Sequence, residues 1–208
     1  MRARISDTML SGEIIKLELT IPRLGNPDSK PNLIIKPYDE KHVSTRSYDI
    51  HLGDKLLVFK WGLLERFCNL VCPSKIAIDP TTFPNPQPVR IKEIDISKKP
   101  FVLKPGRFAL GTTLEYFEVY NHALQIDGTS KLARSGLSNH QTAGWTDVGF
   151  CGEITLEFST SYPIKLSHGM KIGQISCHPV SEQHNNYKGT FRGQTGPTLP
   201  WTLKQVQR

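Results

Sequence analysis

Residues 152–158 read G-E-I-T-L-E-F. An alternation of period two places Glu153, Thr155 and Glu157 on one face of an extended segment and Ile154, Leu156 and Phe158 on the other. That is the pattern of a strand with one buried face. Similar strand-forming runs occur at residues 32–35, 48–52, 107–110, 113–119 and 171–177, with turn residues between them. Helical periodicity is hard to find. Residues 55–67 suit either a short amphipathic turn or a strand, and Gly62 in their middle weakens the helical reading. These spacings predict one all-β domain, a sandwich or barrel.

Composition agrees. The chain has 208 residues, within the range of a single core, and its 16 glycines and 15 prolines suit short strands joined by turns. Residues 22–30 and 72–88 hold several prolines each and are predicted loops, because proline cannot donate to a central ladder. The formal charge of +7 is uneven: between Gln183 and Arg208 stand Lys188, Arg192, Lys204 and Arg208 and no acidic residue. A basic balance points to an anionic partner. Without a dense Lys/Arg run or interleaved aromatics, a small phosphate-bearing molecule is expected and a nucleic-acid polymer is not. The N-terminus has no apolar segment resembling a signal peptide, and no window approaches the roughly 18 apolar residues of a membrane span. A cytoplasmic protein with no membrane attachment is expected.

Four cysteines, Cys68, Cys72, Cys151 and Cys177, read as thiols rather than zinc ligands. Cys68 and Cys72 are not followed by a second Cys/His pair at finger spacing, and none of the seven histidines begins the H-x-E motif of the zinc nucleobase deaminases. A phosphate site is better supported. In D-G-T-S-K-L-A-R, residues 127–134, Gly128 allows close backbone approach, Thr129 and Ser130 offer hydroxyls, and Lys131 and Arg134 supply cations, although the Walker spacing is absent. The same residues also read as a turn and short helix with a solvated charge. The strand alternation alone does not choose between Glu153 and Glu157 as a working carboxylate.

Five ordered blocks resemble the dCTP deaminase branch of the dUTPase-like superfamily: S-Y-D-I-H-L-G (47–53), K-P-G-R-F-A-L-G-T-T-L-E (104–115), D-G-T-S-K-L-A-R-S-G-L (127–137), H-Q-T-A-G-W-T-D-V-G-F-C-G-E-I-T-L-E (140–157) and F-R-G-Q-T-G-P (191–197). The resemblance implies a distorted jelly-roll-like β-barrel over residues 1–183, assembled as a homotrimer with active sites between subunits, and a flexible C-terminal lid over 184–208. It implies hydrolytic deamination of dCTP without zinc, the triphosphate arriving as a Mg²⁺ complex. Water must attack C4 of the base while N3 and the departing ammonia gain protons, and one carboxylate can shuttle both.

By the same resemblance Glu157 is that carboxylate, and Ser130 and Arg134 orient the water and stabilise developing charge. Thr129, Lys131, His140, Ala143, Trp145 and Asp147 are expected to contact substrate, together with Tyr187, Lys188, Arg192 and Gln194 from the lid. Ala143 corresponds to a backbone contact to the base, Asp147 to a contact near the deoxyribose, and His140 to a loop that shifts when dTTP inhibits. Departures are His51 in place of an arginine, Thr129 and Lys131 exchanging the usual cation and hydroxyl, and Thr190 where a basic residue is common. The loop T-A-G-W-T-D-V-G-F is closer to members that carry dUTP on to dUMP and diphosphate. The alternatives are a dUTP diphosphatase alone, or a non-catalytic nucleotide-binding protein on the same fold.

Overall fold

The structure is a computed structural model, and it describes residues 11–12, 15–16, 31–60, 71–75, 77–83, 89–180 and 187–200. The loop expected at 22–30, Cys68, residues 61–67 and 84–88, and the ends of the expected lid at 184–186 and 201–208 lie outside them. In chain order the strands are β1 (Leu33–Lys36), β2 (Tyr48–His51), β3 (Lys55–Lys60), β4 (Arg90–Asp95), β5 (Phe101–Leu103), β6 (Ala109–Val119) and β7 (His122–Asp127). A short helix, α1 (Ser130–Arg134), follows. Then come β8 (Leu137–Ser138), β9 (Trp145–Thr146), β10 (Cys151–Thr160), β11 (Ile164–Leu166) and β12 (Lys171–Pro179).

One sheet runs β4-β3-β6-β10-β8, with β1 beside the second half of β6, and a second runs β2-β12-β7-β9. Every pairing between named strands is antiparallel. Alternation decides which side chains meet between the layers. Phe117, Leu156 and Phe158 from the first sheet and Tyr48, Ile50, Leu124 and Ile175 from the second are fully buried. The two layers are also joined by a polar link, in which Glu115 of β6 accepts the His51 backbone N–H at 3.0 Å and lies 2.7 Å from its Nδ1. His51 thus retains a carboxylate partner at the position where an arginine was expected.

The sequence expects two strands over 107–110 and 113–119, and the structure has one, β6. Gly111 looks like a break in the sequence, but it leaves room for a ring: a Cβ there would stand 2.7 Å from Phe158 Cε2. The ambiguous segment from Lys55 resolves as a strand through Lys60, because Leu57 and Val58 pair with Leu110 and Ala109. The Pro-rich loop contains two 3-10 turns, Pro73–Lys75 and Pro80–Thr82, the second capped by Asp79, which accepts the Thr81 N–H at 2.9 Å.

Candidate active site

β10 positions the candidate carboxylate. Its ladder to β6 sets Glu157 opposite Leu110 and Glu153 opposite Tyr116, with a register shift between Glu153 and Thr155. The Thr113 hydroxyl spans that irregularity, accepting the Ile154 N–H at 2.9 Å and donating to Glu115 O at 2.7 Å. Glu157 lines a cavity of about 880 Å³, together with Ala143, Trp145, Asp147, Tyr187 and Gln194. Six of the expected site residues are therefore brought to one wall system.

The carboxylate is held by the loop that precedes β9. Gln141 N–H donates to Glu157 Oε2 at 2.9 Å, the Gln141 amide reaches Glu157 O at 3.3 Å and Ser159 Oγ at 3.0 Å, and Glu157 N–H donates to Asn139 O at 3.0 Å. Gln141 and Asn139 escaped the sequence reading, although Gln141 stands inside the H-Q-T-A block. Their roles come from partners that are distant in sequence. His140 packs against Gly144, where a Cβ would meet Ile126 O at 3.1 Å and His140 Cε1 at 3.3 Å. The Nδ1 of His140 is buried without a hydrogen-bond partner. The backbone of Ala143 makes no hydrogen bond to another described residue, leaving its polar groups available at the cavity. Trp145 is 57% exposed at the rim and stacks at a tilt against His178, with centroids 5.0 Å apart.

The remaining expected residues lie elsewhere. Thr129 caps α1, its hydroxyl accepting the Leu132 N–H at 3.4 Å, so the turn-and-helix reading of this motif describes the local structure. Ser130, Lys131 and Arg134 are exposed on that helix, and among the described residues none of them lines the cavity with Glu157. The loop leading into α1 is tethered by Asn139, which donates to Asp127 O at 3.2 Å, and by Gln174, which donates to Gly128 O at 3.4 Å. A second, smaller cavity of about 320 Å³ opens beside it, lined by Arg46, Ser47 and Asp127 among others.

Residues 187–200 lie along the start of β10 and supply Tyr187, Phe191, Gln194, Thr198 and Pro200 to the cavity wall. Lys188 is exposed, and Arg192 Nε donates to Gly149 O at 3.0 Å, two residues from Asp147. Among the described residues neither Lys188 nor Arg192 lines the cavity itself. Phe59, Ile78, Phe83 and Phe108 add apolar wall, and Arg107 is the one Lys or Arg among the described residues lining the cavity. Ile78 and Phe83 give the Pro-rich loop a place in the site that its sequence did not disclose. Across the ladder from Glu153, burial pushes the Tyr116 phenol up to about 12, with neighbouring Cys151 adding to the shift. Cys72 and Cys151 are free thiols, and Cys177 is buried in the core.

A family model described as dCTP deaminase-like matches residues 25–180. Among curated proteins, the "dCTP deaminase, dUMP-forming" of Dictyoglomus thermophilum is 38% identical over 176 residues, covering 80% of this chain and 84% of that protein. The protein of the same name from Leifsonia xyli subsp. xyli is 35% identical over 210 residues, covering 96% of this chain and 93% of its own. Among solved structures, the 2'-deoxycytidine 5'-triphosphate deaminase from Agrobacterium tumefaciens superposes with a TM-score of 0.55 at 17% identity, covering 83% of this chain and 48% of that one. This chain thus spans about half the length of that solved chain, and the likeness bears on the fold.

Proposed function

The chain belongs to the dCTP deaminase family, and from that premise we propose that it hydrolyses the 4-amino group of dCTP and carries the product through dUTP to dUMP and diphosphate. The observation that carries this reading is the Glu157 carboxylate, set in the cavity and held by the Gln141 N–H at 2.9 Å. That bond leaves the rest of the carboxylate to take one proton from the attacking water and pass it to N3, and then to take the second from the C4 hydroxyl of the tetrahedral adduct and pass it to the amine, which leaves as ammonia. Ala143 faces the base with its backbone, and Asp147 faces the sugar. The tail cations Lys188 and Arg192 are assigned to the triphosphate, which arrives as its magnesium complex; in support, Arg192 is fixed two residues from Asp147 by its bond to Gly149 O. Trp145 borders the rim.

Ser130 and Arg134 complete the site from a second copy of the chain. In support, they are exposed on α1 and absent from the wall around Glu157 within one chain. The assembly we propose is the homotrimer, with Thr129 shaping α1 and Lys131 meeting phosphate across the interface.

Coupling to dUMP is supported by the names of the curated relatives, and Asp147 is assigned the second water. A Cβ at Gly144 would stand 3.1 Å from Ile126 O, so the loop passes close to β7 there. dTTP is proposed to inhibit through the 139–144 loop. Displacing that loop removes the Gln141 donor from Glu157, and the buried, unpartnered His140 Nδ1 makes its packing easier to disturb. No helix among the described residues is long and apolar enough to cross a membrane, and we place the reaction in the cytoplasm. Chromatography of the products formed from dCTP and Mg²⁺ tests the activity. Ammonia with dUMP and diphosphate in equal amounts supports it, dUTP accumulating without diphosphate rejects the coupled step, and no product at all rejects the reading.

A further inference from the structure

The two carboxylates on the polar face of β10 have separate surroundings. Glu157 lines the cavity, whereas Glu153 is engaged by the tail. Glu153 Oε2 accepts the Gly196 N–H at 2.6 Å, its backbone N–H donates to Gln194 O at 2.9 Å, and its carbonyl accepts the Gln194 side-chain amide at 2.7 Å. Gly152 forms a parallel bridge with Gln194 and adopts φ +143°, and a Cβ on it would stand 2.8 Å from Gln194 O. On either side, Gly193 N–H donates to Cys151 O at 2.5 Å and Thr198 N–H to Thr155 Oγ1 at 3.4 Å.

These contacts dock the tail against β10 around a single parallel bridge at Gln194. Gln194 is only 4% exposed, and Phe191, Gln194, Thr198 and Pro200 become a wall of the cavity that holds Glu157. None of the other contacts named here has a charged partner. The bond from Gly196 to Glu153 is the side-chain contact in this set with a charged acceptor, and such bonds are roughly twice as strong as neutral ones.

We propose that Glu153 is a positioning residue, which clamps residues 194–198 over the cavity so that the tail wall is in place when substrate binds. Its effect on turnover rests on the deaminase reading above; its effect on the tail does not. Glu153 need not touch the substrate. It acts through Gly196 and Gln194, and Gly152 makes the approach sterically possible.

The test compares Glu153→Ala, Glu153→Gln and Gly152→Ala in the full chain. Hydrogen exchange at the Gly196 and Thr198 amides and tryptic cleavage after Arg192 report the tail directly, while steady-state kinetics with dCTP report the site. Losing a hydrogen bond to a charged acceptor predicts roughly tenfold or greater acceleration of exchange and cleavage in Glu153→Ala, and a similar fall in kcat/KM carried mainly by KM. Glu153→Gln keeps an acceptor oxygen and recovers kcat/KM to within about threefold of wild type. Gly152→Ala resembles Glu153→Ala in both readouts. Unchanged tail exchange in Glu153→Ala overturns the proposal, as does kcat/KM within about twofold of wild type when wild type is active. If wild-type protein releases no ammonia from dCTP, the deaminase reading fails, and exchange and cleavage still decide whether Glu153 clamps the tail.

Discussion

Glu157→Gln separates the chemical role of this residue from its structural one. The side chain is half-buried on β10 and receives one hydrogen bond, from the Gln141 N–H at 2.9 Å. Glutamine is nearly isosteric and its amide oxygen accepts the same N–H, so the loop keeps its tether and loses only the charge assistance, about 1 kcal/mol. The expected change in melting temperature is therefore a few degrees at most. Proton transfer is lost altogether. General acid–base groups commonly contribute about 10²–10⁴ in rate, and this carboxylate is asked to move protons at two stages, so ammonia release should fall by at least about a thousandfold. Attack on a phosphoanhydride needs no carboxylate at C4, so hydrolysis of added dUTP to dUMP should stay within about fivefold of wild type. A coupled ammonia assay on dCTP and diphosphate detection on dUTP, run on the same preparation, distinguish the two. Ammonia release within tenfold of wild type would refute Glu157 as the proton shuttle. Equal loss of both reactions would show that the substitution damages the binding of either nucleotide rather than the deamination step.

Other expectations follow from the same geometry. Mixing Glu157→Gln chains with Arg134→Ala chains after partial unfolding and reassembly should restore part of the ammonia release, because one of the two mixed interfaces in each mixed trimer pairs an intact Glu157 with an intact Arg134; mixtures as inactive as their components would exclude a shared site. Gly111→Ala forces a methyl to within 2.7 Å of Phe158 Cε2 and 3.0 Å of Leu56 Cδ2, so chemical denaturation should show a loss of roughly 1–3 kcal/mol, and no loss would mean the core yields there. Burial pushes the Tyr48 phenol up to about 12. A folded-state pKa raised above the ordinary 10 adds stability that is complete below pH 10 and is lost as pH rises toward 12. Melting temperatures measured from pH 9 to 12 should fall along that interval, and less steeply in Tyr48→Phe.

The strand alternation of residues 152–158 was legible because a period of two needs no knowledge of neighbours: one face must be buried whichever strand lies beside it. The merger of two expected strands into β6 was not, since it depends on the Phe158 ring filling the space that Gly111 leaves. The motif of residues 127–134 disclosed its residue types and its turn, but the use of the Thr129 hydroxyl as a helix cap depends on where the chain goes next. The choice between Glu153 and Glu157 shows the limit most plainly. Both sit on the same face with the same alternation, and the sequence separates them only by resemblance.

What the sequence by itself determined is the class of fold, the set of chemically capable residues and the order of the five motifs that mark the family, because these reside in local periodicity and residue type. The tertiary structure decided which of those residues share a wall. Register across the β6 and β10 ladder sends Glu157 to the Gln141 N–H and Glu153 to the tail, the Pro-rich loop brings Ile78 and Phe83 to the same cavity, and α1 leaves Ser130 and Arg134 facing outward. The physical reason is range. Alternation and turn chemistry act over a few residues, whereas a cavity is enclosed by strands separated by up to a hundred residues of chain, whose meeting is fixed only when the whole core packs.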